Sequence, residues 1–118
     1  MRPNPFAIVE CWEQMHEAVL ELATRCATPR QRLLAVAQGQ LLTVAALGND
    51  IRDAEIKAWI SRLTRQLHGS YNSPTRCSAL RTINAMSDED VDAAIMEIVA
   101  IYDAVTRADL IERMQTAA

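Results

Sequence analysis

Three of the four prolines in this chain directly follow a side chain that caps helices: Asn4-Pro5, Thr28-Pro29 and Ser73-Pro74. A proline at the first helical position sacrifices nothing, because the N–H it lacks would have no partner there, and its fixed φ suits the helix. The Asn, Thr or Ser before it offers an oxygen to the free N–H groups of the first turn. Thr28 also has Gln31 three residues on, which completes a capping box. The 118 residues are thereby cut into helical segments before hydropathy is consulted.

The segments carry matching apolar stripes. A first helix is expected over Pro5–Cys26, with Ile8, Trp12, Met15, Val19, Leu22 and Cys26 facing the core at alternating spacings of four and three. Glu10, Glu13, Glu17 and Glu21 give it an acidic outer face. A second helix is expected over Pro29–Leu47, ended by Gly48-Asn49, with Gly39 weakening its middle or admitting a close neighbour. A third is expected to start after Asp50 and to end at Gly69, burying Ile56, Trp59, Ile60, Leu63 and Leu67. A short fourth helix, Pro74 to Met86, has Cys77, Leu80, Ile83 and Met86 on its inward side. Ser87, with acids in the turn after it, opens a fifth whose stripe is Val91, Ala94, Ile95, Ile98, Tyr102 and Val105.

Residues 33–49 contain no charge. That run is shorter than the roughly 20 apolar residues a membrane span needs, and it includes Gln38, Gln40 and Thr43. A helix apolar nearly all round, yet too polar to span, belongs at the centre of a bundle. Alanine is the commonest residue and the best helix former, and no strand pattern appears. The expected fold is all-α: a compact bundle of about five helices around a central apolar helix (residues 29–47), forming a single helical domain over residues 1–118.

The end of the fifth helix breaks its own pattern. Leu110, Ile111 and Met114 point roughly 100–200° away from the Val91–Val105 stripe. Either the helix stops near Thr106, where Thr106-Arg-Ala-Asp109 resembles a fresh capping box, and a short helix folds back. Or it continues, and Met96, Val99, Leu110 and Met114 share a second apolar side that the monomer core leaves uncovered. The second arrangement makes Met96, Leu110, Ile111 and Met114 candidate partner-binding residues, since flexible methionines suit adaptable contacts.

Charge is segregated. Residues 56–86 carry Lys57, Arg62, Arg65, Arg76 and Arg81 with no acid, whereas residues 87–118 carry two basic and eight acidic groups. The five basic residues are candidates for binding an anion or an acidic partner, with a phosphate backbone as one version. Packing against the acidic helices, or a plain solvated face, accounts for them equally. The net charge of −3 gives no general drive toward nucleic acid.

Catalytic chemistry is not signalled. Zinc sites need clustered Cys or His, whereas Cys11, Cys26, Cys77, His16 and His68 are scattered, so neither a metal site nor a cofactor is expected. Cys11 and Cys26 lie too far apart on one helix for a disulfide, and an odd set of three free thiols fits a reducing cytoplasm. The early charges of the N-terminal segment argue against a signal peptide. His16 reads as a boundary residue, and His68 as a cation favoured by the end of the third helix. A Cys77–His68 thiol pair finds a competing explanation in the inward stripe that claims Cys77. Phosphate loops, dinucleotide fingerprints and hydrolase elbows are missing. The expected function is therefore a cytoplasmic, non-catalytic protein-binding module: a regulator, inhibitor or adaptor, with a homodimer as its simplest form. The alternative is a nucleic-acid-binding regulator using the basic residues.

Overall fold

The computed structural model describes residues 3–69 and 73–117, which form helices α1 (Ala7–Thr24), α2 (Pro29–Ala37), α3 (Gln40–Leu47), α4 (Ala54–His68), α5 (Arg76–Ala85) and α6 (Asp88–Ala117), with a 3₁₀ turn at Gly48–Asp50. The fold is an all-α compact bundle. One continuous apolar core runs through it, from Ala7 and Ile8 in α1 to Val105 in α6.

The segment expected as one central helix is two. The chain breaks at Gln38-Gly39, and α2 and α3 lie on either side. At the break Gln38 donates to the Arg76 carbonyl (2.9 Å) and Gln40 donates to Glu21 (3.0 Å), while the Gln40 amide oxygen is buried without a hydrogen-bond partner. The central position holds nonetheless. Leu33, Val36 and Ala37 are fully buried, with α2 against α1, α5 and α6, and α3 against α1 and α4.

Thr28 makes the expected capping box with Gln31. Other caps shift by a residue or more. Asn4 holds the entry to α1 by accepting from Phe6 N (2.9 Å), while the helix itself begins at Ala7. α4 is capped by Asp53, which accepts from the N–H groups of Glu55 and Ile56. α5 is capped by Thr75 paired with Ser78, not by Ser73-Pro74.

The buried faces are rotated toward small side chains. In α1 the fully buried positions are Cys11, Met15 and Ala18, with Trp12 and Val19 half-buried and Cys26 exposed beyond the helix. In α5, Ser78, Ala79 and Ile83 face inward, whereas Cys77 and Leu80, expected inside, are exposed. Small residues let helix axes approach closely, and the larger neighbours then sit at the edge of the contact.

α6 is continuous through Thr106. Its 30 residues span about 45 Å, close to the 47 Å long dimension of the molecule. Thr106 does not restart a helix; within the unbroken α6 its Oγ1 donates to the Tyr102 carbonyl one turn back (2.8 Å) and accepts from Trp12 Nε1 (3.0 Å).

Candidate functional site

The rotation of α6 about its axis is fixed by its inner side. Val91, Ala94, Ile98, Ile101 and Val105 are buried in the core. Polar contacts reinforce them: Trp12 to Thr106, His16 Nδ1 with the Tyr102 hydroxyl (2.9 Å), and Trp59 Nε1 donating to Glu97 (2.8 Å). Trp12 also stacks on His16, with ring centroids 5.0 Å apart.

With that side held inward, a second apolar set faces outward. Met96 is 73% exposed, Leu110 57%, Ile111 54% and Met114 64%, and Val99 joins them. All four expected partner-binding residues thus lie at the surface, along one uninterrupted helix. Between the two apolar ends sits an ion pair, Asp103 with Arg107. Sequence reading passed over this pair; its signal was an Asp and an Arg four residues apart, midway between Met96 and Met114.

The turn around residue 109 inverts ordinary amphipathicity. Asp109 is only 6% exposed, while Leu110 and Ile111 beside it face solvent. One Asp109 oxygen lies 3.1 Å from Arg113 Nε in an ion pair, and the other is buried without a hydrogen-bond partner. The buried, incompletely paired carboxylate costs the fold whether or not a partner binds, whereas the row of exposed apolar side chains leaves surface that a partner could cover. The inversion follows from continuing the helix rigidly past Thr106.

The five basic candidates are all exposed, and among the described residues none forms an ion pair. Lys57 and Arg65 come together at a cleft of about 280 Å³, whose lining includes Ser61, Thr64, Gly69 and Pro74. Arg62, Arg76 and Arg81 do not line it.

His68 differs from the expected solvated cation. It is buried, and burial pushes its pKa down, an effect that the nearby Thr75 backbone only partly offsets. Ser78 Oγ donates to the Thr75 carbonyl (3.0 Å) and accepts from Thr75 N, which assigns His68 Nδ1 as donor to Ser78 (2.8 Å). His68 is thus a neutral joint between α4 and α5, while Cys77 is exposed on the far side of α5's packing. Burial pushes the Cys11 thiol up to about 12, which suppresses its thiolate. Among the described residues no group of three His, Cys, Asp or Glu side chains is placed to hold a metal ion, and no helix is long and apolar enough to cross a membrane. Comparison with known proteins finds no matching family model, no matching curated protein and no matching solved structure.

Proposed function

We propose that this chain is a non-catalytic protein-binding module, a small cytoplasmic regulator, inhibitor or adaptor that acts by covering a partner's surface with the outer face of α6. The observation that carries the reading is the set of large apolar side chains that the unbroken α6 holds in solvent, from Met96 to Met114. Burial against a partner would remove Met96, Leu110, Ile111 and Met114 from water, at roughly 25 cal/mol per Å² of apolar surface. The acidic α6 and the basic α4–α5 side would orient the encounter more than strengthen it.

The test compares proteins captured by the wild type with those captured by Leu110→Asp/Met114→Asp, with circular dichroism checking the fold. Partners retained by the wild type and lost by the variant, and then bound by purified wild type with little dependence on salt, support the reading. Identical capture by both proteins overturns it.

A second reading, a nucleic-acid-binding regulator, draws on the five basic side chains that lack ion pairs among the described residues. Its signature is steep weakening with salt and loss of binding in Arg62→Glu/Arg65→Glu, measured by anisotropy with a labelled duplex.

A further inference from the structure

We propose that the outer face of α6 pairs with the same face of a second copy of this chain, the two helices antiparallel and related by a two-fold axis beside residue 105. The inference rests on the protein-binding reading above and names the partner. Met96, Ala100, Asp103, Arg107, Leu110 and Met114 follow spacings of four, three, four, three and four, the repeat of a two-helix seam. At about 100° per residue all six lie within roughly 40° of one line along the helix. Each is exposed in the protomer.

The seam reads as its own complement. Met96 and Met114 are equidistant from residue 105, as are Ala100 and Leu110, and Asp103 and Arg107. Antiparallel stacking about that point sets methionine against methionine at both ends and the small Ala100 against the large Leu110. At the centre it sets Asp103 against Arg107 of the second copy, twice. Each carboxylate meets a guanidinium whichever copy supplies it, so the intrachain pair exchanges partners without leaving a charge alone. A parallel, in-register pair would instead set Asp103 on Asp103 and Arg107 on Arg107, which like-charge repulsion disfavours. Val99 and Ile111, about 60° to either side, flank the seam and shield its centre from water. The seam runs over 19 residues, Met96 to Met114, about 27 Å of helix from first to last. It is a self-complementary patch of the kind a two-fold dimer requires.

Sedimentation equilibrium on the full chain tests the pairing. At about 100 µM the wild type is expected to weigh twice the 13.1 kDa of one chain. Asp103→Arg and Arg107→Asp each place like charges in both central layers, and each is expected to dissociate at least tenfold more readily. The double variant Asp103→Arg/Arg107→Asp restores opposite charges and is expected to pair again, as is an equimolar mixture of the two single variants. Circular dichroism on each variant separates lost pairing from lost fold. A wild type of monomer mass throughout overturns the proposal. So do single variants that stay paired, or a double variant that does not recover. A monomeric wild type whose captured partners still depend on Leu110 and Met114 would overturn self-pairing alone and leave the protein-binding reading standing.

Discussion

His68 is enclosed between α4 and α5 with its Nδ1–H committed to Ser78, so a proton added at Nε2 would place a charge in the core. Its folded pKa lies below the ordinary 6.5, and the unfolded chain therefore takes up the proton first. The stability tied to this residue is fully present above about pH 6.5 and is lost as pH falls through the folded value. Urea unfolding at about pH 7.5 and pH 5 is expected to show a larger loss at acid pH for the wild type than for His68→Gln, which cannot titrate. An equal loss in both proteins would place the acid sensitivity elsewhere. Arg30 shows the same economy: it donates to the Ile83 carbonyl at the end of α5 and to Asp88 at the start of α6, so one fork joins two helices.

At the scale of elements, the best-read features were those with a local cause. The Thr28–Gln31 box marks α2 because both partners lie within one turn and need nothing from the rest of the fold. Thr28→Ala is expected to cost about 1 kcal/mol in urea unfolding. The Thr75–Ser78 box was hidden because serine replaces the usual Glu or Gln at its third position. The sequence marks Gly39 as a weak point but not as a break, because the amides of Gln38 and Gln40 beside it find their partners in Arg76 and Glu21, far away in the chain. A Cβ at residue 39 would come within 3.2 Å of the Ala35 carbonyl oxygen, a backbone atom with little freedom to yield. Gly39→Ala is accordingly expected to lower the urea midpoint, by about 1 kcal/mol in stability, despite alanine's better helix propensity. The outward Met96–Met114 set was legible as one of two alternatives, because periodicity gives a residue's direction but not whether a helix ends. The contacts that hold the continuing helix in place come from far away in sequence, as with Trp12, 94 residues before Thr106, donating to its hydroxyl.

For the whole molecule, the two sides of α6 should answer mutation differently. Ile98 is fully buried among residues of several helices, and Ile98→Ala is expected to cost about 2–5 kcal/mol, a large share of the roughly 5–15 kcal/mol that holds a domain of this size. Met96→Ala, two residues away on the opposite side, should change stability by less than about 0.5 kcal/mol in dilute protein. Unfolding curves for the two variants at low concentration make the comparison, and a comparable loss in both would mean that the outer face already packs within one chain.

The clasp between Trp12, His16, Tyr102 and Thr106 joins segments separated by 86 to 94 residues. Closing so long a loop is entropically costly and is compensated only after the intervening helices have gathered. A nascent chain leaving the ribosome would hold the first helix half-clothed until more than half of the sixth had emerged. The indole stacked on its imidazole would then report, through its fluorescence, the moment at which the first helix finds the sixth.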